Sequence, residues 1–121
     1  MIKYAINYLM LFNMPTKEEE ESLEERANGC RIHQWAGGIR GVERFLEESC
    51  VPRKYWEAYH EMLIVRSQKS IVMDRDEEED YIRETIRIYE EYRLESKFYL
   101  PLYIIVLELV GQWKRYKRSL I

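Results

Sequence analysis

The chain has little of what usually discloses a function. Two cysteines, Cys30 and Cys50, make neither a disulfide framework nor a four-ligand zinc site. An ordinary cytosol would keep them reduced, and only a hyperthermophile's would bridge them. The five glycines contain no G-x-x-x-x-G-K-[ST] or G-x-G-x-x-G spacing. Gly37, Gly38 and Gly41 approximate neither, so nothing supports nucleotide binding through a phosphate loop. No hairpin turn separates alternating runs, because Asn28-Gly29 follows a helical pattern, and there is no internal repeat or low-complexity tract. Asparagine and glutamine number only three each, against many Glu, Arg, Ile and Tyr. That balance resembles proteins rich in ion-pair networks and poor in thermolabile amides, as in thermophiles. Net charge is only −3, which excludes a general electrostatic pull toward nucleic acid or anionic lipid; such binding needs a local patch.

What is present describes a folded domain. With 121 residues, 46% hydrophobic and 34% charged, the chain is long enough to bury a core and far from the composition of disorder. One helical domain over 1–121 is the expectation. Met1 to Met14 lacks a small-residue cleavage site and reads as structural rather than as a signal peptide. The apolar run Phe98 to Trp113 carries one charge, Glu108, and is shorter than the roughly 20 residues of a membrane span. No membrane span is expected, and the cytoplasm is the expected compartment.

Periodicity then gives the elements. Ile2 to Phe12 is apolar almost all round and reads as a buried helix stopped by Pro15. Thr16 and Glu19 form a capping box for an acidic helix that ends at Asn28-Gly29, with only Leu23 and Ala27 to pack. Cys30 to Gly38 reads as a turn or irregular link. Ile39, Val42, Phe45 and Leu46 mark a helix to Ser49, and Pro52 opens another along Tyr55, Trp56, Tyr59, Met62 and Leu63. Ser70 to Met73 is ambiguous. Asp74 with Glu77, or Asp76 with Glu79, can cap a helix along Tyr81, Ile82, Thr85, Ile86, Tyr89 and Tyr92, with Glu79 spaced to pair with Arg83. The last helix, Leu100 or Pro101 to Ser119, has no polar face through Val110 and calls for partners on all sides. The fold class expected is all-α: a compact bundle of five to six helices with a central apolar C-terminal helix.

Chemistry is sparser. Arg53 and His60 lie seven apart on one helix face, where a cation and a titrating imidazole would meet one ligand. This R-x6-H spacing resembles the R-x4-6-H motif of small all-helical ribonuclease domains of the HEPN type. The resemblance covers two residues and implies His60 as acid/base on a ribose 2′-hydroxyl, with Arg53 holding the scissile phosphate. Lys54 departs from the Asn, Asp or His that often follows the family's arginine. Glu57-x-x-His60 matches half of a di-metal carboxylate pattern, but Cys30 stands where His33 would need its glutamate, so no metal and no cofactor are expected.

Two surfaces remain. Trp113, Lys114, Arg115, Tyr116, Lys117 and Arg118 combine cations with rings, as nucleic-acid binders do. Ten tyrosines and three tryptophans exceed the needs of one small core. Tyr81, Tyr89, Tyr92, Tyr99, Tyr103 and Trp113 are therefore the expected interface with a second copy or another protein. A binding or regulatory module, self-associating, is the expected function, ahead of a nucleic-acid-binding accessory protein and of a ribonuclease.

Overall fold

The computed structural model describes residues 17–120, with side chains from 22 onward. Ile2 to Phe12, Pro15 and the Thr16–Glu19 cap lie outside what is described. Six helices form, α1 Lys17–Asn28, α2 Arg31–Ala36, α3 Gly38–Glu48, α4 Trp56–Ser67, α5 Arg75–Glu91 and α6 Tyr99–Ser119, with short 3₁₀ turns at Arg53–Tyr55 and Ser96–Phe98. The described residues contain no strand, and the all-α bundle is what the helical periodicity expects.

α4 is the element on which the rest is built: it touches each of the other five helices. Ala58, Tyr59, His60, Met62, Leu63 and Ile64 are buried on it, with Met62, Leu63 and Ile64 each contributing about 1.5–3 kcal/mol by leaving water. The expected centre was the C-terminal helix. α6 instead buries one face, Leu102, Val106, Leu109, Val110 and Trp113, and leaves Leu100, Ile104 and Leu107 exposed. Tyr59 on α4 fastens the two helices by donating to the Ile105 carbonyl at 2.9 Å.

Cys30 to Gly38 holds a helix where the sequence indicates a link. Cys30 caps α2, its Sγ accepting from the His33 amide at 3.5 Å while its thiol donates to the Leu63 carbonyl of α4 at 3.7 Å. Both cysteines are free. Only Gly37 and Gly38, at φ 98° and 81°, form the turn itself, in backbone space that glycine enters without strain. α1 is peripheral, with Ala27 buried and Leu23 half-buried. A two-pronged Arg26–Glu61 ion pair, one contact at 2.8 Å, ties it to α4.

Asp74 caps α5, its Oδ1 accepting from the Glu77 amide at 2.8 Å. Ser70 to Met73 is an irregular link that bends at Ile71 and Val72, and the buried Arg66 holds it by donating to the carbonyls of Ser70 and Ile71 at 2.9 and 2.8 Å. The apolar face of α5 is rotated from the expected one. Tyr81, Thr85, Ile88 and Tyr89 are buried, while Ile82 and Ile86 are exposed. Arg83 pairs with Asp80, and Glu79 pairs with Arg75 at 3.5 Å.

α3 and α5 both end in a six-to-one turn: Val51 N–H donates to Leu46 and Leu94 N–H to Tyr89, each at 2.9 Å. The motif places Cys50 and Arg93 at φ 59° and 56°, a left-handed conformation that costs a non-glycine residue about 1 kcal/mol. Cys50→Gly is accordingly expected to stabilise the chain by about 0.5–1 kcal/mol, and Cys50→Ala is not; paired thermal melts distinguish the two.

Candidate functional site

The chain's two histidines, 27 positions apart, meet in the core. α2 carries His33 beside the buried Ile32, and α4 carries His60 beside the buried Tyr59. Their rings stack with centroids 5.0 Å apart, and His33 Nε2 stands 2.8 Å from His60 Nδ1. On the other side of His60, Nε2 faces Glu43 Oε2 of α3 at 3.6 Å. A carboxylate there favours a proton on His60 Nε2, so Nδ1 accepts and His33 Nε2–H donates. His33 Nδ1 is then left as a buried acceptor without a partner. Burial pushes both rings down to about 4, with the neighbouring ring adding to the effect on His33.

His33 is fully buried and His60 nearly so. An acid/base group has to reach the proton it moves. Arg53 lies elsewhere, exposed on the 3₁₀ turn before α4, with its guanidinium 5.1 Å from the Trp56 ring centre. There Lys54 covers Tyr55 at 5.0 Å, Lys97 covers Phe98 at 5.2 Å, and the Tyr55 and Phe98 rings lie 5.2 Å apart. These contacts clasp the two 3₁₀ turns together. The structure thus brings His60 to His33 and Glu43, while Arg53 is engaged with Trp56. Among the described residues no group of three or more His, Cys, Asp or Glu side chains is placed to hold a metal ion.

The expected interface tyrosines divide. Tyr81 and Tyr89 are buried, while Tyr92, Tyr99 and Tyr103 are half-buried. Tyr81 faces Tyr103 at 6.0 Å and Tyr89 faces Tyr99 at 4.5 Å. Tyr89 also donates to the Tyr99 carbonyl at 2.8 Å. These rings join α5 to the start of α6. Trp113, fully buried, belongs to the core and offers no ring face to a base or a partner. The guanidiniums of Arg31 and Arg66 stand over it at 5.6 and 5.9 Å, and burial holds Arg66 below its ordinary value.

The largest exposed apolar side chains of α6 form a row. Leu100, Ile104 and Leu107 are 66%, 52% and 50% exposed and recur at i, i+4 and i+7, which puts them on one face. Gly111, Arg115 and Arg118 continue that row, so the face turns from aliphatic to cationic along its length. No helix among the described residues is long and apolar enough to cross a membrane, and the row covers only part of α6. No family model, curated protein or solved structure matches the chain.

Proposed function

We propose that this chain is a small helical binding module that acts through protein–protein contact and associates with a second copy of itself along α6. The observation that carries this reading is the Leu100–Ile104–Leu107 row, branched aliphatic side chains at least half exposed, a longer row than the exposed Ile82–Ile86 pair of α5. Contiguous exposed apolar surface marks interaction sites. The row suits a copy of itself. An antiparallel two-fold pairing sets Ile104 against Leu107 and Leu100 against the bare surface of Gly111, where a side chain would meet only the Arg115 guanidinium at 3.7 Å. It also opposes the two helix dipoles, and a two-fold contact uses the same patch twice. The half-buried Tyr99 and Tyr103 edge the row and supply part of its rim.

Sedimentation equilibrium tests the proposal. The parent chain is expected to be a dimer, and Ile104→Asp, which sets an unpaired carboxylate in the middle of the contact, is expected to weaken association at least about tenfold with unchanged helicity. A monomer at roughly 100 μM, or a variant as associated as its parent, would overturn the reading.

A further inference from the structure

The basic end of α6 does not act alone. α2 packs against it, with the Trp35 ring 6.0 Å from that of Tyr116 and the Arg31 guanidinium over Trp113. The two stretches that meet here, 29–36 and 109–120, contain no Asp or Glu, while they contain Arg31 and the four cations from Lys114 to Arg118. In a chain with 22 acidic and 19 basic residues that segregation is large. Arg31 donates to the Ser67 carbonyl at 2.6 Å and the Lys69 carbonyl at 3.3 Å, neutral acceptors that leave its charge in place. No ion pair among the described residues takes any of these five cations. The negative end of the α6 dipole accounts for one or two cations in the last turn. It does not account for Arg31 on α2.

We infer that this end of the molecule is a binding site for single-stranded nucleic acid, with phosphates on the cations of α2 and α6 and a base on the Trp35–Tyr116 pair. The ring pair decides the class of ligand. Tyr116 is 43% exposed and Trp35 is half-buried, so together they present a platform at the margin of the cationic surface. An unpaired strand supplies both phosphate charge and an open π-face, whereas an acidic peptide supplies only charge and a duplex keeps its bases stacked on each other. A lipid surface calls for several exposed aliphatic groups beside the cations; here Leu120 is exposed next to them, while the Leu100–Ile104–Leu107 row begins at the other end of the helix.

Fluorescence anisotropy of a labelled single strand of about 12 nucleotides, titrated with the full chain at several salt concentrations, tests this. Binding is expected at about 50 mM salt and should weaken steeply as salt rises. Tyr116→Ala, at an exposed position, should weaken it about tenfold with little change in salt dependence. Arg115→Ala with Arg118→Ala should flatten the salt dependence. Quenching of tryptophan fluorescence by the strand should report Trp35 and disappear in Trp35→Leu. Absence of binding at low salt overturns the proposal. So does equal affinity for a duplex, for polyglutamate or for phosphatidylserine vesicles, and so does a Tyr116→Ala protein, helical by circular dichroism, that binds as its parent does.

Discussion

Moving from pH 7 to pH 5 is expected to remove about 2 kcal/mol of folding stability for each ring of the His33–His60 pair. The direction follows from linkage. Burial sets both folded rings at about 4, whereas an unfolded histidine titrates near the ordinary 6.5. Below that value the unfolded chain takes up protons that the native state refuses, so the pair's contribution is complete above about pH 7 and is lost as pH falls toward 4. Against a total of roughly 5–15 kcal/mol this is a large fraction. The carboxylates with lowered values, Glu77 accepting from the Ser70 amide and Asp80 beside Arg83, lose their protons' stabilising absence at still lower pH. Urea unfolding between pH 7 and 5 therefore isolates the histidines. His33→Leu with His60→Leu together removes donor and acceptor at similar volume, and this double variant should lose most of the pH dependence while remaining folded. His60→Leu alone leaves His33 Nε2–H buried without an acceptor and should cost about 1–3 kcal/mol at pH 7. A double variant with the parent's pH dependence would show that the pair is not its source.

Legibility in the sequence differed by the kind of signal. Helices that cap with an acidic side chain, or that repeat an apolar residue over three turns, are visible in the residues, and Asp74 with the α5 stripe is the clearest example. α2 is not visible in this way. Six residues are too few for periodicity, and a helix of that length forms only because Cys30, Ile32 and His33 are buried against α4. The left-handed turns that close α3 and α5 are also silent, since Cys50 and Arg93 occupy the position that glycine usually announces, although Pro52 places the end of α3 near Ser49. An all-apolar pattern such as that of α6 tells that a helix resists water but not which face its own chain covers. That depends on where α4 lies, which no local pattern encodes.

The site residues follow the same division. Trp113 reads as part of a basic, aromatic tail because of its sequence neighbours. Yet it stands four positions after Leu109 and seven after Val106, both buried, and that spacing already places it in the core row. Tyr81 and Tyr89 stand eight apart and share the inward face in the same way. No such signal joins His33 to His60 or Trp35 to Tyr116, pairs separated by long stretches of chain and brought together by packing alone. The cations at the end of α6 are largely legible: four are consecutive or nearly so, while Arg31 arrives from α2 over Trp113.

Gly41→Ala is expected to destabilise the fold by about 3 kcal/mol or more, although alanine in a helix interior ordinarily gains about 1 kcal/mol over glycine. Gly41 sits in the first turns of α3, and a Cβ there would stand 1.8 Å from the Ala36 carbonyl oxygen and 2.7 Å from its carbon. The obstacle is backbone, which cannot rotate aside as a long side chain does. Gly37 and Gly38 turn the chain so sharply that the end of α2 lies directly against α3, and a methyl group at 41 must push the two helices apart. α2 has nowhere to go without pulling Ile32 and His33, both fully buried, away from α4. The control is the other mid-helix glycine. A Cβ at Gly111 meets only the movable Arg115 guanidinium at 3.7 Å, so Gly111→Ala, measured in the Ile104→Asp background and at low concentration to limit any association, should gain up to about 1 kcal/mol. Chemical denaturation of the two alanine variants should thus move the midpoint in opposite directions, and in Gly41→Ala hydrogen exchange should accelerate first in α2. Equal and small shifts at both positions would mean that α2 and α3 do not approach so closely.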